Sequence, residues 1–120
     1  MKIAIVGSRE FKDKDFVENI VAQELSNGDC FISGGARGVD SWAEESISIL
    51  ETGLYKFKIE KKIFKPDWNK YGKRAGFLRN ELIINEADRV IAFWDGKSKG
   101  TKHSIDLAIK ANKPLDIYVR

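Results

Sequence analysis

Three short segments rich in glycine and hydroxyl side chains have the composition of an anion-binding site. They are Gly7-Ser8-Arg9, Ser33-Gly34-Gly35-Ala36-Arg37-Gly38-Val39-Asp40 and Asp95-Gly96-Lys97-Ser98-Lys99-Gly100-Thr101. Glycine lets a backbone amide come close to a ligand, and the start of a helix carries unpaired amides and a partial positive charge. Serine and threonine hydroxyls would add donors, and Arg9, Arg37 or Arg79 would supply counter-charges. The predicted chemistry is capture of a phosphate group.

Each of these segments lies between a predicted strand and a predicted helix. Apolar, β-branched runs predict strands at residues 2–6, 30–32, 89–93 and 115–119, and a lysine-containing run with a period of two predicts a strand near a sheet edge at 55–64. Helical spacing of apolar residues predicts helices at 15–25, 40–50, 77–85 and 101–111, with Asp40 as an N-cap. Residues 65–76 are predicted to be irregular.

This alternation of strands and helices predicts the α/β fold class. Parallel strands joined by right-handed helical crossovers form one sheet that is covered on both sides. We therefore expect residues 1–120 to form a single Rossmann-like three-layer sandwich with a mostly parallel sheet of about five strands. In such a sheet the ligand binds beyond the carboxyl ends of the strands, where all three segments fall.

Composition excludes several other classes of protein. The chain has 120 residues, of which 42% are hydrophobic and 32% charged, as in ordinary globular domains. No apolar run approaches the roughly 20 residues that a membrane-spanning helix needs, so we expect no membrane partner and a cytoplasmic location. One cysteine and one histidine cannot form a closed zinc site, and we predict neither a metal nor a cofactor. Cys30 is expected to be a buried apolar filler.

The motifs resemble a known superfamily. The segment from Ile32 to Asp40, followed by Ala43, is similar to the SGxAxGxD signature of DNA-processing protein A (Smf) and to the GGGxxGLMG segment of the lonely-guy phosphoribohydrolases. Arg79-Asn80, followed later by Gly96 and Gly100-Thr101, resembles the arginine and PGGxGTxxE arrangement of the lonely-guy enzymes. The bacterial and phage YspA-related branch of this SLOG superfamily is nearer still, on the residues Pro66-Asp67-Trp68, Tyr71-Gly72-Lys73, Ala75-Gly76 and Arg79-Asn80.

The resemblance covers nearly the whole chain and implies a nucleotide-binding domain whose ligand lies over the three segments. The predicted ligand-binding residues are Gly7, Ser8, Arg9, Ser33, Gly34, Gly35, Ala36, Arg37, Gly38, Asp40, Trp68, Arg79, Asn80, Asp95, Gly96, Ser98, Gly100 and Thr101. Arg79 is also the predicted catalytic residue if the ligand is turned over, because its planar fork can hold a phosphate with two hydrogen bonds. Where the lonely-guy enzymes carry the glutamate of GTxxE, this chain has Ser104.

Three functions remain open at this point. The leading hypothesis is a binding protein for a nucleotide or a nucleotide-derived small molecule, in a sensing, sequestering or accessory role, with a homo-oligomer among the expected states. The second is a phosphoribohydrolase-like N-glycosidase acting on nucleoside monophosphates, which the missing glutamate disfavours. The third is a single-stranded nucleic-acid binder that uses the basic band between Lys56 and Arg79, with Trp68 and Tyr71 as stacking residues.

Overall fold

The computed structural model describes residues 1–54 and 56–120. Its elements in chain order are β1 (Lys2–Gly7), α1 (Lys14–Glu24), β2 (Cys30–Ser33), α2 (Val39–Thr52), β3 (Glu60–Ile63), α3 (Trp68–Tyr71), a 3-10 turn (Gly72–Arg74), α4 (Ala75–Glu86), β4 (Arg89–Trp94), α5 (Lys99–Lys110) and β5 (Leu115–Val119).

The five strands form one parallel sheet in the order β3-β2-β1-β4-β5. Alternate residues of β1 point to opposite faces, so Ile3 and Ile5 pack with the α1 and α2 side while Ala4 and Val6 pack with the α4 and α5 side. The α/β class and the three layers are therefore confirmed. The direction of strand succession reverses between β1 and β4, and this reversal places a crevice at their carboxyl ends.

The strand predicted at 55–64 is shorter in the structure. It pairs only over Glu60–Ile63, because β2 offers only the four residues Cys30–Ser33 as partners. Tyr55, where the predicted strand began, lies outside the described residues. The position of this strand at a sheet edge is confirmed.

Residues 65–76 contain proline and glycine and were predicted to be irregular, but they form a short helix and a 3-10 turn. Asp67 is the N-cap of α3, and its carboxylate accepts a hydrogen bond from the Lys70 amide at 3.1 Å. A 3-10 turn then leads directly into α4, which begins at Ala75. An aspartate three residues before Lys70 is an ordinary N-cap signal, which the prediction of an irregular segment missed.

Candidate functional site

A cleft of about 470 Å³ opens at the carboxyl edge of the sheet, between the ends of β1 and β4. Each of the three predicted segments contributes to its wall. The lining residues are Val6, Gly7, Arg9, Glu10, Gly34, Ala36, Arg37, Asp40, Arg79, Asn80, Ile83, Ser98, Gly100, Thr101 and Ser104.

Buried hydroxyl groups join the first and third segments beneath the cleft. The Ser8 and Thr101 hydroxyl oxygens are 3.2 Å apart, and both residues are buried. The Ser8 hydroxyl also accepts a hydrogen bond from the Asp95 amide at 3.2 Å. These contacts fix the start of α5 against the end of β1.

Gly38 joins the second segment to the first. Its φ of +76° favours glycine, and a Cβ atom there would lie 2.9 Å from the Arg9 carbonyl oxygen. The backbones at Arg9 and Gly38 can therefore approach only because residue 38 has no side chain.

Arg79 reaches the second segment from α4. Its Nη1 donates to the Gly34 carbonyl oxygen at 3.1 Å, and its Nε donates to the Asn80 side-chain oxygen at 3.1 Å. A Cβ atom on Gly34 would overlap the guanidinium, so glycine is needed for this approach. Partial burial lowers the pKa of Arg79, but a guanidinium stays protonated at neutral pH.

Asn80 continues this connection to the third segment. The buried Asn80 amide nitrogen lies 3.3 Å from the Gly100 carbonyl oxygen, to which it donates, and 3.3 Å from Nδ1 of His103. Arg79 and Asn80 thus hold the second and third segments at a fixed separation across the cleft.

Asp40 does not have the capping role predicted for it. The N-cap position of α2 is Gly38, and Asp40 lies within the first helical turn. Its carboxylate instead turns back to accept the Ala36 amide at 3.1 Å. Burial raises the pKa of Asp40 to about 6, although the Ala36 amide and the Arg79 charge partly offset that effect.

Several amides that were expected to face a ligand are hydrogen-bonded within the protein. The Ser8 amide donates to Phe93, the Gly35 amide to the Ser33 hydroxyl, the Ala36 amide to Asp40, the Lys97 and Ser98 amides to Asp95, and the Thr101 amide to the Ser98 hydroxyl. The expectation that these amides are free to bind a ligand is wrong, because the Phe93 carbonyl and the side chains of Ser33, Asp40, Asp95 and Ser98 accept their hydrogen bonds instead. Within the described chain, the amides of Lys99 and Gly100, in the first turn of α5, donate no hydrogen bond to the protein.

Cations without ion-pair partners surround the cleft. Arg9, Arg37 and Arg79 line it, and Lys97 and Lys99 alternate with lining residues of the third segment. None of the five forms a salt bridge with a residue in the described part of the chain. The carboxylates of Glu10 and Asp40 on the same wall leave the lining with an excess of positive charge.

Not every predicted site residue lines the cleft. Ser8, Ser33, Gly35, Gly38, Asp95 and Gly96 shape the loops from behind or beside it, and Trp68 lies outside it on α3. Conversely, Val6, Glu10, Ile83 and Ser104 line the cleft and were not among the predicted ligand contacts. Glu10 directly follows Arg9, so its adjacency to the first segment was the available signal.

Two further observations bear on what the site can hold. Across residues 1–54 and 56–120, no group of three or more histidine, cysteine, aspartate or glutamate side chains could hold a metal ion. No described helix combines the length and the apolar character required to cross a membrane.

Comparisons with known proteins relate this fold and site to DNA-processing proteins. The family model for DNA recombination-mediator protein A matches residues 1–55. The Gene 61 protein of Mycobacterium phage D29 is 36% identical over 119 residues, which are 95% of this chain and 93% of that protein. A solved structure of DNA processing protein A from Helicobacter pylori, described as having a unique single-stranded DNA binding mode, is similar with a TM-score of 0.69 and 28% identity. That match covers 98% of this chain, which spans only 64% of the Helicobacter chain.

Proposed function

Because this chain belongs to the same family as the Gene 61 protein of Mycobacterium phage D29, within the Smf-related superfamily, we propose that it binds single-stranded nucleic acid. The cleft at the carboxyl edge of the sheet would hold the sugar-phosphate backbone of the strand. The similar Helicobacter protein is described as binding single-stranded DNA, which supports the same class of ligand for this chain.

One observation carries the proposal: cations without ion-pair partners converge on a cleft that already has the shape of a ligand site. Arg9 and Arg79 come from different elements, yet both line the cleft. The Lys99 and Gly100 amides add donors at the positive end of α5. Unpaired cations at one edge repel one another and lower the free energy of unfolding. A polyanion would neutralise them, so it is the class of ligand that suits this edge.

The test is binding of a fluorescein-labelled oligothymidylate, followed by fluorescence anisotropy over a range of salt concentrations. We expect affinity to fall with salt, and Arg79→Gln to weaken binding by about tenfold with a shallower salt dependence. Lys110→Gln is the matched control, because it removes the same charge from the last turn of α5, at the opposite edge. A wild-type protein that binds no oligonucleotide at low salt would contradict the proposal.

A free nucleotide is a second candidate ligand, which the dimensions of the cleft favour. A volume of about 470 Å³, with the apolar side chains of Val6 and Ile83 among its lining, falls within the range of small-molecule sites. Nucleoside monophosphates that displace the labelled oligonucleotide at micromolar concentration would support this ligand. Competition that needs millimolar concentrations would favour the strand.

Hydrolysis of such a nucleotide stays a prediction, with one structural argument against it and one in its favour. Ser104 lines the cleft at the position where the lonely-guy enzymes carry a glutamate, and a serine cannot stabilise the developing charge on the ribose. Asp40 supplies a carboxylate in the same cleft, but it is engaged with the Ala36 amide. Chromatography of incubated nucleotides for free base, with Arg79→Gln as the control, decides between them.

Membership of the YspA-related branch is likewise a prediction.

A further inference from the structure

Three half-exposed aromatic side chains form a surface that the cleft does not account for. We call Trp68, Tyr71 and Phe77 the aromatic ledge; their side chains are on α3 and the first turn of α4, and the residues are 54%, 44% and 48% exposed. Large aromatic residues this exposed are uncommon on the surface of a protein that has no partner there.

The ledge is held in place by packing, capping and ring contacts. The edge of the Trp68 ring lies 3.5 Å from the position a Cβ atom would take on Gly76, so the indole rests on α4. The Phe77 ring meets the His103 ring edge-on, with centroids 4.6 Å apart. His103 in turn contacts Asn80, which lines the cleft. The ledge and the cleft therefore share α4 as a common support.

Part of the unpaired positive charge of the basic band lies on the elements that carry the ledge. Lys61 and Lys62 belong to the same band but are paired with Glu51 and Glu86, at 3.0 Å and 2.6 Å. Besides Arg79, the other cations of the band form no salt bridge with any described residue; they are Lys56, Lys58, Lys65, Lys70, Lys73 and Arg74, of which the last three are on α3 and the 3-10 turn. Aromatic rings among unpaired cations are the combination that binds single strands, because bases stack on the rings while the cations neutralise phosphates.

The ledge is also close enough to the cleft for one strand to reach both. Gly76, beneath the Trp68 ring, and Arg79, which lines the cleft, are three residues apart on α4. That separation is about one helical turn, roughly 4.5 Å along the axis. A strand of a few nucleotides spans such a distance.

We propose that the aromatic ledge is a second nucleic-acid contact, on which a base stacks against Trp68 while the strand continues from the cleft past Lys73 and Arg74. The proposal rests on the proposed function and adds the direction in which the strand leaves the cleft. A second copy of the chain is the less suitable occupant, because a symmetric contact would bring like-charged cations together at the rim of the ledge.

The test compares a short ligand with a long oligonucleotide. Thymidine monophosphate, which is too short to reach from the cleft to the ledge, and an oligothymidylate of about 12 nucleotides are titrated against the wild type, Trp68→Ala, Trp68→Phe and Leu82→Ala. Leu82 is the matched control, since it is an apolar residue of α4 with 55% exposure. We expect Trp68→Ala to weaken binding of the long oligonucleotide about tenfold and that of the short ligand hardly at all, as base stacking on one aromatic residue implies. Trp68→Phe should retain most of the affinity.

Intrinsic fluorescence gives a readout that a purely structural role of Trp68 would not change. Stacking of a base on the indole quenches its emission, so the long oligonucleotide should quench the wild type more strongly than Trp68→Phe. Thermal melting of each variant shows whether it is folded. If Trp68→Ala is unstable, the Phe variant and the quenching decide the outcome.

Each outcome separates this proposal from the one it rests on. If no oligonucleotide binds the wild type, both proposals are overturned. If Arg79→Gln weakens binding of both ligands while Trp68→Ala behaves as Leu82→Ala does, only the ledge proposal is overturned. A dimer that Trp68→Ala dissociates, with oligonucleotide affinity unchanged, would also overturn it in favour of a second copy.

Discussion

Charged side chains are paired at the amino edge of the sheet, where the strands begin, and mostly unpaired at the carboxyl edge, where the strands end. At the amino edge, Arg89 bridges Glu24 at 2.9 Å and Asp116 at 2.6 Å. Glu86 accepts from both Lys2 and Lys62, at 3.0 Å and 2.6 Å. Charges there are arranged in pairs that connect neighbouring elements.

At the carboxyl edge the charges are left without partners or are buried. Arg9, Arg37 and Arg79 form no salt bridge in the described chain, and Asp40 is only 6% exposed within the same cleft. Unpaired cations and a buried carboxylate both reduce stability, and such local costs are concentrated at functional sites. The difference supports the proposal that the carboxyl edge binds a ligand, whereas the ion pairs of the amino edge connect neighbouring elements.

The largest effect is expected at Asp40. Its pKa in the folded protein is about 6 rather than the ordinary 3.8, so the folded state binds a proton that the unfolded state has released. The free energy of unfolding therefore falls as the pH rises from about 4 to above 6. Asp40→Asn, which keeps an acceptor for the Ala36 amide, should raise the free energy of unfolding at pH 7 by up to about 3 kcal/mol.

Urea unfolding at several pH values between 4 and 8 measures this effect. Asp106→Asn on the exposed face of α5 is the control for the loss of one carboxylate at the surface. If Asp40→Asn shows the same decline with pH as the wild type, Asp40 does not carry the cost assigned to the carboxyl edge.

The next largest effect is expected from Arg89 at the amino edge. Arg89→Ala leaves two carboxylates without their shared cation, and it should lower the free energy of unfolding by about 2 kcal/mol. Oligonucleotide affinity should be unchanged, because this residue is at the edge opposite the cleft. Thermal melting and anisotropy together measure the two properties. A large loss of affinity in a folded Arg89→Ala protein would contradict the division between the edges.

A smaller effect on binding is expected from Gly34→Ala. The added methyl group would displace the Arg79 guanidinium from the Gly34 carbonyl, so oligonucleotide affinity should fall about tenfold, or about 1.4 kcal/mol. A double-mutant cycle with Arg79→Ala provides the control. The two changes should be strongly non-additive, whereas additive losses would show that Gly34 acts independently of Arg79.

The smallest effect is expected from Glu86, whose side chain is solvated. Hydrogen bonds from Lys62 and then Lys2 lower its pKa to about 2 from 4.5, the opposite direction to Asp40. Its contribution to stability is present above about pH 4.5 and is lost as the pH falls toward 2. Glu86→Gln should therefore lower the melting temperature slightly at pH 7, and less in high salt. A variant whose melting temperature differs from that of the wild type by as much at pH 2 as at pH 7 would contradict this assignment.

The sequence predicted the architecture better than the details of the site. Apolar runs and helical spacing located the strands and helices, because periodicity of burial is a local property. The prediction failed at β3, whose length is limited by its pairing with β2, and at α3, whose local N-cap at Asp67 was missed. The length of a paired strand depends on its neighbouring strand, and an N-cap signal competes with nearby proline and glycine. Neither outcome follows from one local signal alone.

The same distinction applies to the cleft. Glycine segments between strands and helices predicted its place, and Arg79 was correctly expected near it. The use of Ser33 and Asp95 to bind their own loop amides was missed, since a polar side chain near a helix start suits either a ligand or the loop. Asp40 was expected to cap α2 and instead accepts from the Ala36 amide. Only the folded backbone shows which acceptor is nearer.

By itself the sequence determined a parallel α/β sheet with glycine-containing segments at one edge, because burial periodicity and the positions of glycine require no knowledge of distant contacts. The tertiary structure alone decided which cations remain unpaired. Lys61 and Lys62 are neutralised by carboxylates that are distant in sequence, whereas Arg9 and Arg79 both line the cleft without such partners. Charge pairing depends on separations of a few ångströms, and those separations are set by how the helices pack on the sheet.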